Sequence, residues 1–286
     1  MINLILSILF SSSLYVFFKY FEKYNINTLH AIIVNYAVAG TCGFLLYDEE
    51  VNFSVIPEKS WFIGAIALGL LFIFIFNLMA LTSQKNGLSV ASVSGKMSVV
   101  IPILFAVIVY KEQLGIFKVS GIVIALLAVY FTSVKEKSNT IPFEKKTLIY
   151  PILLFIGSGI IDTFIKYMET NYISTQEVPY FSAVVFSFAG IIGFITLIIK
   201  RDFTFKWKNV AGGILLGVPN YFSIVYLLKA LQNEDLNSST VFTINNVAIV
   251  MLSTILGIII FKERLIKKNW LGIALAIISI LLVAST

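Results

Sequence analysis

Apolar residues in this chain fall in long runs, separated by short polar connections. Ten runs are legible, at 2–21, 28–47, 61–82, 88–110, 115–134, 147–167, 179–199, 209–230, 237–261 and 269–285. A run of about 20 residues is the length an α-helix needs to cross a bilayer. Backbone groups in hydrocarbon must be satisfied internally, so each run is expected to be a helix. The period-two alternation of a membrane barrel is absent. The pattern therefore predicts an all-α polytopic membrane protein with ten transmembrane helices. The longest polar connections are Asp48–Lys59 and Lys135–Lys146. The second reads as a linker and divides the chain into five-helix segments 1–134 and 147–286, with 135–146 between them.

The two segments resemble each other. FKYFEKYN from Phe18 answers IKYMETNY from Ile165, with Lys19 and Lys166 separated by 147 residues. YKEQLGIFKVSGIVIALLAV from Tyr110 answers FKERLIKKNWLGIALAIISI from Phe261. Glu112 pairs with Glu263 and Gly121 with Gly272, both 151 residues apart. Five is odd, so a second copy enters the membrane in the opposite sense. The expected architecture is two inverted repeats with a site between them, as in many secondary transporters.

Composition agrees. The chain of 286 residues is 58% hydrophobic and 13% charged, about half the charge of a soluble domain. Its net charge of +6 comes from short basic loops, which act as orientation signals rather than a nucleic-acid surface. The loops after the odd-numbered runs hold 15 Lys and Arg, the opposite side holds 5, and Lys96 is left over. This bias puts the odd loops in the cytoplasm and both termini outside. The N-terminal run lacks the basic start and cleavage pattern of a signal peptide and reads as a retained first helix. One cysteine, Cys42, excludes an intrachain disulfide and a cysteine metal cluster.

Candidate chemistry centres on the fourth run, where Lys96 lies deep in an apolar helix. Ser89, Ser92 and Lys96 stand at i, i+3 and i+7 on one face. A lysine at that depth costs roughly 2.5–3.5 kcal/mol on insertion scales, so it is expected to face a partner or a wet cavity. The alternative is a side chain that snorkels to the interface. In the second segment Ser239, Thr243 and Asn246 form the corresponding face, with an amide in place of the lysine. Asp162 is the one acid well inside an apolar run. It reads as a coupling carboxylate, as an i,i+4 pair with Lys166, or as the partner that gates and neutralises Lys96. Asn77, Asn220 and Tyr226 are candidate cavity residues, with Pro219 and Ser223 on the side of Tyr226. On the first helix the run Ser11, Ser12, Ser13 and Tyr15 reads equally as helix packing. His30 and Asn35 could line a mouth. Glu112 and Glu263, at helix ends, read as structural anchors. No phosphate-binding loop, metal-ligand spacing or hydrolase pair is present, so neither an ATP-driven pump nor an enzyme is expected.

The two KE dipeptides, at Lys111–Glu112 and Lys262–Glu263, each close a helix and are followed nine residues on by a glycine. With Pro102 before the first, this resembles the EamA repeat of the drug/metabolite transporter superfamily across essentially the whole chain. The second copy departs from it, with Ser253 where the first has Pro102. The resemblance implies a carrier of two inverted five-helix repeats, with a central cavity lined by helices 1–4 and 6–9 and with helices 5 and 10 peripheral. It also implies export rather than import, and more often places both termini inside, against the charge bias.

The expected function is a secondary active transporter that exports small polar metabolites such as amino acids by alternating access, coupled to protons or another ion. Lys96, Ser92, Ser89, Asn77, Asn246, Thr243, Ser239, Asn220 and Tyr226 would bind substrate, and Asp162 and Lys166 would couple or gate. The expected partners are the lipid bilayer and a small-molecule substrate, with no nucleic acid and no cofactor; the setting is the cell membrane. Rival readings are an exporter of hydrophobic cations or drugs, in which Asp162 binds, a non-transporting scaffold or accessory protein, and a channel.

Overall fold

The computed structural model describes residues 2–47, 53–110, 115–133, 148–173, 177–202, 204, 206–231 and 238–284. Among these the chain forms eleven α-helices and one 3-10 turn, Phe53–Glu58. The helices are α1 (Ile2–Lys23), α2 (Thr28–Leu45), α3 (Phe62–Asn86), α4 (Leu88–Met97), α5 (Val100–Tyr110) and α6 (Ile116–Ser133). They continue as α7 (Ile149–Tyr172), α8 (Val178–Lys200), α9 (Trp207–Leu231), α10 (Ser238–Phe261) and α11 (Lys267–Ala284). Six of them, α1, α2, α3, α8, α9 and α10, contain segments long and apolar enough to cross a membrane. Shorter apolar helices lie at Leu88–Pro102, Val119–Thr132 and Ile149–Ile165. Large apolar side chains are exposed on the outer faces, among them Ile63, Leu70 and Phe74 of α3 and Phe194 and Ile198 of α8. In water such surface would be an aggregation hazard; in lipid it costs nothing.

The fourth apolar run is not one helix. It is interrupted at Ser98–Val99, between α4 and α5. Pro102 explains the break. It has no N–H to give the Ser98 carbonyl four residues back, and its ring crowds that carbonyl. The Ser98 carbonyl instead accepts the Ile101 N–H at 2.9 Å, a tighter i+3 bond. The corresponding α10 has Ser253 and runs unbroken.

The main contacts between the two segments come in exchanged pairs. Contact α1–α9 is matched by α3–α7, α2–α9 by α3–α8, and α1–α10 by α4–α7. Contacts α2–α8, α4–α10 and α6–α11 are their own counterparts. Helices α6 and α11 pack chiefly on one another, to one side of the rest. Glycine permits a close approach between α2 and α9. A Cβ at Gly213 would lie 2.6 Å from the Ala31 carbonyl oxygen, and one at Gly217 would lie 2.8 Å from that of Asn35. Small residues bring membrane helices together in this way because dispersion, not hydrophobicity, holds them.

Candidate functional site

The break in the fourth run places chemistry where three helices meet. Lys96 lies one residue before the end of α4 and is half-buried. Opposite it on α7 stands Asp162. The two are close enough to interact electrostatically, yet no ion pair within 4.0 Å joins them. The bridge considered from the sequence is therefore not formed here. Ser98, in the interrupted turn, has its Oγ 3.2 Å from Asp162 Oδ2 and 2.6 Å from the Gly95 carbonyl oxygen. Tyr15 of α1 closes the third side. A Cβ at Gly95 would lie 3.3 Å from its hydroxyl, and its ring is buried. Asp162 itself is exposed. Ser98, Lys96 and Tyr15 are its polar neighbours there.

A carboxylate, an ammonium, a hydroxyl and a phenol thus converge at a helix break. The arrangement offers a cationic and an anionic anchor to a small polar molecule, with uncoiled backbone nearby, as discontinuous membrane helices do. Among the described residues no group of His, Cys, Asp and Glu could hold a metal.

The remaining candidates are scattered. Ser89 and Ser92 are buried, and Ser92 Oγ donates to the Ser89 carbonyl at 3.1 Å, so the expected stripe does not present three free groups. Asn77 Nδ2 donates to Ile73 of its own helix at 2.7 Å. Asn246 is half-buried on α10, which packs against α4. Asn220 is buried with its Nδ2 unpartnered among the described residues, and Tyr226 stacks on Phe10 at 5.8 Å. The side chains of Ser239, Thr243 and Lys166, and all of Glu112, lie outside the described residues.

His30 is no mouth residue. It is buried and its Nε2 sits 3.1 Å from Asp202 Oδ2, beyond the end of α8. The Asp202 carboxyl is held below its ordinary value, first by the Thr204 hydroxyl and then by His30. Asn35 is buried too, with both amide atoms unpartnered among the described residues.

Sequence reasoning missed Ser98 and Asn245 and left Tyr15 undecided between the site and helix packing. Ser98 was detectable as the residue four before Pro102, whose carbonyl a proline deprives. Tyr15 was detectable from the repeat, since 162 − 15 = 147, the separation of Lys19 and Lys166, which makes it the counterpart of Asp162. Asn245 carried no such signal. It is buried and accepts from Ser7 Oγ at 3.2 Å, joining α1 to α10, while Asn246 beside it matched the expected spacing.

At 15% identity and a TM-score of 0.58, the fold is similar to a solved crystal structure, covering 97% of this chain and 96% of that one. A Haemophilus influenzae protein described only as uncharacterized is 32% identical over 286 residues, covering 97% of this chain and 96% of its own length. The sequence matches the EamA-like transporter family at residues 1–134 and again at 145–285. Multi-pass helices, a polar break and a match over nearly the whole chain agree: this is a membrane protein that belongs to the EamA-like transporter family.

Proposed function

We propose that the protein is a secondary active exporter of small polar metabolites such as amino acids, in the cell membrane, working by alternating access. Its two segments act as inverted five-helix repeats that rock about a cavity at the α4–α5 break. The exchanged helix contacts support this arrangement. The observation that carries the reading is the nearness of Lys96 and Asp162 without an ion pair between them, beside Ser98 and Tyr15. Opposite charges this deep would be expected to collapse onto each other unless something else can satisfy them, because an uncompensated charge in lipid is costly. A zwitterionic or anionic substrate satisfies Lys96 through its carboxylate, and a proton or other cation satisfies Asp162. Lys166 and the Ser239–Thr243–Asn246 face complete the proposed cavity.

Purified protein in proteoliposomes provides the test. Flux of labelled amino acids should saturate and show counter-exchange, and Lys96→Ala should abolish it while the protein still inserts and purifies. Equal flux in the variant removes Lys96 from the site, and unsaturable flux favours a channel.

The exposure of Asp162 favours one second reading, an exporter of hydrophobic cations or drugs. Under it Lys96→Ala increases cation transport by removing like-charge repulsion, and Asp162→Asn abolishes it.

A further inference from the structure

One group of residues that joins the two segments lies at one end of the bundle, as Lys59 and Glu177, with Nζ and Oε1 2.6 Å apart, join them elsewhere. At that end the α1–α2 turn, the end of α3, the start of α4, the α8–α9 turn and the α10–α11 turn meet. Asn209 Oδ1 accepts the Asn27 N–H at 2.9 Å, Lys208 Nζ donates to the Tyr24 carbonyl at 3.1 Å, and Lys85 Nζ lies 3.2 Å from the Tyr150 hydroxyl. His30–Asp202 belongs to the same end.

Glu263 is the contact of this group that touches the helix bearing the site. It follows α10, yet its Oε1 accepts the Leu88 N–H at 2.7 Å, in the first turn of α4. Ser89 and Lys19 are its other polar neighbours. A helix N-terminus has unsatisfied N–H groups and the positive end of its dipole, so a carboxylate there is held by both. The seat is built of glycine. Gly87 has φ +104, a conformation other residues rarely adopt, and a Cβ on it would lie 2.8 Å from Oε1. A Cβ on Gly257 would lie 2.6 Å from Oε2, and the Glu263 N–H donates to the Gly257 carbonyl at 3.1 Å. One carboxylate of the second segment thereby holds the N-terminus of the ten-residue α4 of the first, and Lys96 rides at its other end.

We propose that Glu263 is the latch that closes the cavity at this end, and that its departure from the Gly87–Gly257 seat frees α4 to move in the transport cycle. This rests on the alternating-access reading above. It names a positioning residue, one that acts on Lys96 through a helix it holds by the end.

The test reads access directly and needs no substrate. In the full-length protein with Cys42→Ser, a reporter Ser92→Cys lies on buried α4, and its rate of modification by a membrane-impermeant methanethiosulfonate cation is measured. Glu263→Ala and Gly257→Ala are expected to raise that rate at least tenfold, the second by displacing the carboxylate while keeping its charge. Counter-exchange by the same variants is read separately in proteoliposomes, so a failed latch is separable from a failed transport site. Rates within twofold of the parent in both variants, with helical content and elution retained, overturn the latch. Should Glu263→Ala not fold, Gly257→Ala decides the matter alone.

Discussion

Ser98 Oγ stands 3.2 Å from Asp162 Oδ2 and 2.6 Å from the Gly95 carbonyl, and it has one proton to give. It can therefore serve the carboxylate or the end of α4, but not both. When Asp162 is ionised the hydroxyl gains most by turning to it, since a bond to a charged group contributes about 1.5–3 kcal/mol against 0.5–1.5 for a neutral one. When Asp162 is neutralised by a proton or a bound cation, the hydroxyl returns to Gly95. Charge on α7 is thus felt at the break in the fourth run.

Asp162→Asn should keep the shape of this contact and remove its charge. Counter-exchange in proteoliposomes is expected to fall at least tenfold, with insertion and yield unchanged. Ser98→Ala should fall less, by a few-fold, because it removes one bond and leaves both charges. Wild-type flux in Asp162→Asn would show that the carboxylate has no part in the cycle.

Pro102→Ala restores a backbone N–H opposite the Ser98 carbonyl and relieves a ring clash of about 3 kcal/mol in a helix interior. Helices α4 and α5 should then join, as unbroken α10 does at Ser253. The expected outcome is a higher thermal unfolding midpoint together with slower flux. A lower midpoint would mean that the break is imposed by packing around it, not by proline.

Part of this was legible in the sequence. Among the described residues the apolar runs are helical, six of the helices long and apolar enough to cross a membrane, because the need to satisfy the backbone leaves little choice in lipid. The proximity of Lys96 and Asp162 was one of the meetings the sequence allowed for, as two charges costly to bury alone. Which polar groups turn inward was not legible. Ser92, on the expected face by spacing, and Asn77, expected to line the cavity, both donate to their own helices, a local choice of a small side chain that periodicity does not register. The roles of Glu263 and Asn245 depend on helices about 175 and 238 residues away in sequence, at Leu88 and Ser7, and no local pattern specifies those meetings.

The latch should respond to pH with a definite sign. Burial pushes the Glu263 carboxyl up from its ordinary value, outweighing the Leu88 N–H, Lys19 and Ser89, which act to lower it. A group whose value is raised in the seat binds its proton more tightly seated than released. The seat is therefore firmest in acid, below the ordinary value of about 4.3, and weakens as pH rises through the raised one. Of the charged groups around it, Lys19 of α1 acts on it across the seat. Ser92→Cys modification should accelerate between about pH 4 and neutrality by more than it does in Glu263→Gln, which cancels the reagent's own pH dependence. Identical profiles in the two proteins would remove the titration.

The glycines of the bundle should divide by what surrounds them. Gly213 faces α2 so closely that a Cβ would meet Val34 Cβ at 2.5 Å and the Ala31 carbonyl oxygen at 2.6 Å. The second is main chain in the middle of a helix and cannot turn aside. Gly213→Ala must push α2 and α9 apart, a kind of overpacking that typically costs about 1–3 kcal/mol. Gly190 sits in α8 with nothing nearer its would-be Cβ than 3.5 Å, an ordinary contact. There alanine adds packing and removes the flexibility of a helical glycine, worth roughly 0.5–1 kcal/mol. Thermal unfolding in detergent should therefore show Gly213→Ala below the parent and Gly190→Ala at or above it. Because both are the same change in the same kind of helix, opposite signs can come only from the distance to the facing backbone.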